Sequence, residues 1–155
     1  MLPDLDAQYM EMAIVEARKA DGVGEVPVGA VVLIDGSVVA RAFNQPISTS
    51  DPTAHAEMVA LREAARVAGN YRLSAATIYC TLEPCTMCAG AMIHARVGRL
   101  VFGALDPKAG AVGSIYNVLT DPRLNHRVEV VPGVRQADCA ALLRDFFSRR
   151  RKILE

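Results

Sequence analysis

The sequence carries no excess of charge: 17 Lys and Arg residues balance 17 Asp and Glu over 155 positions. Long-range steering onto a polyanion needs a strong one-signed field, so that mode is excluded, although a local basic patch is not. Long apolar runs are missing too. The longest stretch, around Val26 to Ile34, is far short of the roughly 20 residues needed to span a bilayer. The first residues, Met1-Leu2-Pro3-Asp4-Leu5-Asp6, are acidic and lack the basic region of a secretory signal. A cytoplasmic protein with no membrane contact is expected. Cysteine is sparse, four residues in all, and without a secretion signal such residues do not read as a disulfide framework. Repeats, low-complexity tracts and linkers are absent.

What remains is enough for a core. Apolar residues make up 52% of the chain, which argues for a globular fold over residues 1–155 as one domain. Met10, Ala13, Ile14, Ala17 and Ala20 recur at helical spacing, and Asp21-Gly22 ends that helix. Val28 to Ile34 and Val38 to Phe43 read as strands joined through Asp35-Gly36, a dipeptide suited to a tight hairpin. Asp51-Pro52-Thr53 is expected to open a helix that runs to about Ala68 and stops at Gly69-Asn70. Thr77 to Leu82 reads as a buried strand. Glu83-Pro84 should start the next helix, ending near Ala95. Val97 to Phe102 and Val128 to Val131 complete five strands, and Arg135 to about Lys152 forms the last helix. Strands alternating with helices predict an α/β layer with helices on both faces of one sheet, mixed because its opening hairpin is antiparallel.

Two short motifs carry chemistry. One is His55-Ala56-Glu57; the other is Pro84-Cys85-Thr86-Met87-Cys88. One histidine and two cysteines make three zinc ligands, and catalytic zinc sites usually stop at three and leave a corner for water. Cys85 and Cys88 are three apart at a helix start, so they share a face where free N–H groups and the positive dipole end favour thiolates. Glu57 would accept a proton from the activated water. Residues two apart on a regular helix face different ways, so His55 and Glu57 converge only if His55 lies at the irregular helix start. Cys80 is in phase with Ile78 and Leu82 and reads as a small buried hydrophobe; the alternative, a fourth ligand, would close the site. Cys139 reads as core. His94 lies off the ligand face by helical phase.

The order His-Ala-Glu, then Pro-Cys-x-x-Cys, resembles the signature of the zinc-dependent nucleoside deaminase superfamily. The likeness extends along nearly the whole chain. Glu25-Val26-Pro27-Val28-Gly29-Ala30, Asn44-Gln45-Pro46, Asp51-Pro52-Thr53-Ala54-His55-Ala56-Glu57, Asn70-Tyr71-Arg72-Leu73, Thr81-Leu82-Glu83-Pro84-Cys85, Cys88-Ala89-Gly90-Ala91-Met92-Ile93-His94 and Asn125-His126-Arg127-Val128 resemble the bacterial tRNA-specific adenosine deaminases. That resemblance implies a three-layer α-β-α sandwich of the cytidine-deaminase-like kind with a five-stranded mixed sheet. It implies one Zn²⁺ per subunit, held by His55, Cys85 and Cys88. It also implies hydrolytic deamination of the wobble adenosine to inosine in the anticodon stem-loop of an arginine tRNA, by a zinc-bound hydroxide with Glu57 as proton shuttle and ammonia as the second product. The same resemblance implies a homodimer, with Asn44 on the base and Asp106, Lys108 and Asn125 near neighbouring nucleotides. Phe147, Arg150 and Arg151 match a C-terminal helix that contacts the loop. Leu105 departs from the pattern, where a more polar neighbour of Asp106 is expected.

Two rival functions follow from the same residues. A free nucleobase or nucleoside deaminase, such as a guanine or cytosine deaminase, would keep the zinc and Glu57 but would not need Phe147 or Arg150. A zinc-stabilised RNA-binding module would need a fourth ligand and would release no ammonia.

Overall fold

The computed structural model describes residues 2–154, with side chains from 5 to 152; Met1 and the side chains up to Asp4, part of the acidic start, lie outside the described residues. Along strand β1, Gly29–Ile34, side chains alternate between two cores. Ala30 and Val32 point into one, and Val31 and Leu33 into the other. A strand buried on both faces reads as a continuous apolar run, which is how this segment looks in the sequence. β1 pairs antiparallel with β2, Ser37–Phe43, across the Asp35-Gly36 turn. Both turn residues have positive φ, 50° and 77°, as a tight hairpin requires.

β1 also pairs antiparallel with β3, Ala76–Leu82. β3 then pairs parallel with β4, Arg99–Ala104, and β4 parallel with β5, Glu129–Val131. The sheet order is β2-β1-β3-β4-β5. It is therefore mixed, as expected, with β1 antiparallel to both of its neighbours and the remaining pairs parallel.

One face carries α1, Leu2–Gly22, and α5, Gln136–Leu154. Met10, Ala13 and Ile14 of α1 and Cys139 of α5 close a core there with Val31, Tyr79 and Val101. The other face carries α3, Ala56–Ala68, and α4, Thr86–His94. Ala60, Ala64, Ala89 and Met92 pack there on Val32, Ile78, Cys80 and Phe102. This is the three-layer arrangement. Among the described residues no helix is long and apolar enough to cross a membrane.

Three local expectations need correction, and each concerns a turn close to the site. The helix expected from Asp51-Pro52-Thr53 begins only at Ala56. Asp51 Oδ1 instead accepts from the Thr53 N–H at 2.8 Å and from its hydroxyl at 2.7 Å, closing a local turn that competes with helix. The helix expected from Glu83-Pro84 begins at Thr86, because Glu83 is buried and engaged with a distant loop. A four-residue helix not foreseen, α2, Pro46–Thr49, follows Asn44.

Candidate active site

His55 and Cys85 each occupy the position just before a helix, α3 and α4 respectively. Both have extended backbone, with φ and ψ of −68° and 152° at His55 and −77° and 177° at Cys85. Neither side chain caps its own helix. They face each other instead. His55 Nδ1 lies 3.5 Å from Cys85 Sγ and 3.5 Å from Cys88 Sγ. The late start of α3 thus settles the condition read from the sequence: His55 stands outside the regular helix, and Glu57, one residue inside it, shares the same cavity.

The donor set fits a zinc ion. With Zn–S near 2.3 Å and Zn–N near 2.0–2.1 Å, tetrahedral angles separate sulfur from nitrogen by about 3.5 Å. The ligand atoms of His55, Cys85 and Cys88 all lie within 4.8 Å of one another. The electrostatics of the thiols point the same way. The Cys85 thiol is drawn down to about 3, chiefly because Cys88 donates its S–H to it. That donation, together with burial, pushes the Cys88 thiol far up. The site by itself accommodates one thiolate and resists the second; a dication between the sulfurs relieves that conflict. His55 is raised from its ordinary value by its hydrogen bond to Cys85.

Cys80 is fully buried in the core, and burial, reinforced by the Glu57 charge, pushes its thiol well up. It is not among the grouped ligands. The core reading of Cys80 and Cys139 therefore holds, and no fourth protein ligand joins the cluster among the described residues.

Glu57 is only 4% exposed. Its carboxyl is pushed up to about 6, mainly by burial. It borders a cavity of about 190 Å³ that His55, Cys85, Asn44, Glu83 and Asp106 also line. Asn44 is half-buried there, and its side chain makes no hydrogen bond among the described residues. Asp106 Oδ1 accepts from the Lys108 N–H at 3.1 Å and the Ala109 N–H at 3.2 Å. Lys108 is exposed on that loop, next to Leu105, which is exposed as well.

The remaining sequence candidates lie elsewhere. Asn125 is not in this cavity; it accepts from Arg96 Nη1 at 3.0 Å and lines a separate groove with Tyr71, Arg72 and His94. Phe147 is exposed on α5, while its neighbour Phe146 is buried and meets it edge-on with ring centres 5.3 Å apart. The Arg150 guanidinium sits 5.0 Å from the Phe146 ring centre, and Arg151 is exposed in the last turn. Arg149 pairs with Asp21 at 2.5 Å, tying this end of α5 to the end of α1, whose following segment supplies Val26 and Val28 to the cavity wall. Two residues around the cavity were given no functional role in the sequence reading: Glu25 and Glu83. Both are acids beside apolar residues and near proline, at Glu25-Val26-Pro27 and Leu82-Glu83-Pro84, and both are 1% exposed.

Comparison with known proteins places this geometry. Residues 3–104 match the family described as the cytidine and deoxycytidylate deaminase zinc-binding region. The chain is 49% identical over 147 residues to the tRNA-specific adenosine deaminase of Bacillus subtilis, covering 95% of this chain and 91% of that one. It is 48% identical over 150 residues to the tRNA-specific adenosine deaminase of Haemophilus influenzae, covering 96% and 87%. A solved structure from a study of A-to-I editing by tRNA:A34 deaminases superposes with a TM-score of 0.85 at 46% identity, covering 88% of this chain and 99% of that one. The chain belongs to the zinc-binding cytidine and deoxycytidylate deaminase family and, within it, to the tRNA-specific adenosine deaminases.

Proposed function

We propose that this chain converts the wobble adenosine of an arginine tRNA to inosine, with release of ammonia. The observation that carries this reading is a three-donor cluster with a buried carboxylate beside it in one cavity. His55, Cys85 and Cys88 hold one Zn²⁺ per subunit. When bound, zinc lowers the pKa of a water to about 7.

Glu57 carries the protons. Its placement in the cavity that His55 and Cys85 also line lets it accept one from water and deliver it to purine N1 as C6 is attacked, then take the proton of the hydroxyl added at C6 and pass it to the amine, which leaves as ammonia. Burial holds its carboxyl near the range where both transfers are feasible, and a neighbouring dication acts in the opposite sense. Asn44 offers a free amide to the base edge. An anticodon-loop base is already unpaired, so the cost of extruding it is small.

Lys108, with the Asp106 loop, faces the neighbouring nucleotides. Asn125 reaches RNA from the separate groove, and Phe147, Arg150 and Arg151 supply stacking and phosphate contacts from α5. The proposal includes a single zinc-dependent deaminase domain over residues 1–155, acting in the cytoplasm as a homodimer; Ile47, Val67 and Tyr116 are large apolar side chains exposed on the subunit.

The test is incubation with a transcript of the arginine anticodon stem-loop, followed by reverse transcription. A wobble position read as G supports the proposal; one that stays A overturns it. Turnover of free adenine without RNA would instead favour a nucleobase deaminase.

A further inference from the structure

Glu83 stands between β3 and α4, two residues before Cys85, and is almost wholly buried. Its carboxylate faces only donors. Oε1 accepts from the Asp106 N–H at 3.0 Å and the Ser114 hydroxyl at 2.5 Å. Oε2 accepts from the Val112 and Ser114 N–H groups, both at 3.0 Å. The loop it gathers is the one that supplies Asp106 and Ala109 to the cavity. Gly110 lies against the carboxylate so closely that a Cβ there would collide with it.

Glu25 does the same on the other side. Oε1 accepts from the Ile47 N–H at 3.2 Å, and Oε2 from the Ser48 N–H and hydroxyl, both at 2.6 Å. This fixes the short helix that follows Asn44, while Gln45 N–H reaches Ala54 O at 3.0 Å, next to His55.

We propose that Glu83 and Glu25 are positioning residues that set the two opposed walls of the substrate cavity, Glu83 the Asp106–Ala109 wall and Glu25 the Asn44 wall. The inference rests on the reading of the cavity as the deaminase centre. A carboxylate ringed by N–H and O–H donors uses both oxygens as acceptors, and an isosteric amide puts a donor against donors. The carboxylate oxygens of both acids are taken up by donors of the neighbouring segments. They act through the segments they hold, Glu83 through the loop after β4 and Glu25 through the four-residue helix α2.

The experiment compares Glu83→Gln, Gly110→Ala and Ser114→Ala in the zinc-loaded protein. Amide hydrogen exchange and single-turnover deamination of the anticodon stem-loop are both measured. For Glu83→Gln and Gly110→Ala the exchange protection at Val112 and Ser114 falls by at least about tenfold. The single-turnover rate falls about 10- to 100-fold, because a displaced wall misorients the base. Zinc content is unchanged, and stem-loop affinity stays within about threefold, since phosphate contacts elsewhere position the RNA. Ser114→Ala, which removes one donor and leaves the carboxylate, shifts both readouts the same way by less. Should Glu83→Gln not fold, Ser114→Ala and, on the other wall, Glu25→Gln decide the matter by the same rate measurement, with exchange for Glu25→Gln read at Ile47 and Ser48. Unchanged rates in variants of an active parent overturn the proposal, as does protection lost equally along β3. A parent that never deaminates the stem-loop sinks the functional reading instead, and the exchange pattern still tests the walls.

Discussion

Glu57 sits two residues from a metal ligand yet is almost sealed from solvent. A carboxylate in that position has few uses other than moving a proton between water and a bound ring. Glu57→Gln keeps the shape and removes the proton carrier. It should retain one zinc per chain and RNA binding, while inosine formation falls by at least about 100-fold. Inosine read by reverse transcription, beside zinc quantified by metal analysis, checks this; near-normal turnover removes Glu57 from the mechanism. Cys80 is the control at the same scale. It is fully buried in the core and does not lie with the ligand atoms of His55, Cys85 and Cys88. Cys80→Ala should therefore keep its zinc and its rate, and loss of the metal would return Cys80 to the ligand set. Among these residues the sequence was highly legible. His55, Cys85 and Cys88 were identified by type and spacing, because ligand chemistry permits few residue types. Glu25 and Glu83 were not, because their partners lie more than 20 positions away and nothing local marks an acid as buried.

At the scale of elements, the site exists because two helices begin late. Asp51 spends its side chain on a turn with Thr53, and Glu83 spends its own on a loop, so His55 and Cys85 fall at the two helix starts with extended backbone. Had α3 begun at Pro52, His55 and Glu57 would face apart. Strands were placed to within two residues or so, since alternation and burial are local signals. Helix starts near the site were misplaced because capping candidates compete and tertiary partners choose among them. Close packing of α1 on β1 is a second element-scale constraint. Gly29 donates its N–H to Thr81 Oγ1 at 3.1 Å, and a Cβ there would strike the backbone of α1 at Ala13. Gly29→Ala should destabilise by at least about 1–3 kcal/mol. At this chain length each kcal/mol lowers Tm by about 2–4 °C. A calorimetric scan showing an unchanged Tm would mean that α1 can shift at no cost.

Across the whole molecule, the end of the sheet away from the cavity is tied by charge. Asp6 of α1 accepts from Arg99 at 2.9 and 2.7 Å and from the Tyr79 hydroxyl at 2.7 Å. The Arg99 hydrogen bond holds the Asp6 carboxyl below its ordinary 3.8. A lowered folded-state pKa contributes stability that is present above the unfolded value and is lost as pH falls through the folded one. Tyr79 works in the opposite sense: burial and the Asp6 bond raise it above 10.0, so its contribution is present below that value and is lost as pH climbs past it. Asp6→Asn should lower stability at neutral pH and flatten the acid limb below about pH 4. Urea denaturation across pH decides this; an acid limb identical to the parent's would show that other carboxylates carry it.

Residue chemistry and periodicity alone supplied the three candidate ligands, the carboxylate beside them and the strand pattern, and the resemblance of whole motifs supplied the family, because each depends on side-chain type at short spacing. The tertiary structure alone decided the rest. Which residue begins each helix, which acids are buried, and that Asn44 and Asp106 face one cavity while Asn125 does not, are set by hydrogen bonds between segments far apart in the chain, and local patterns do not encode such partners.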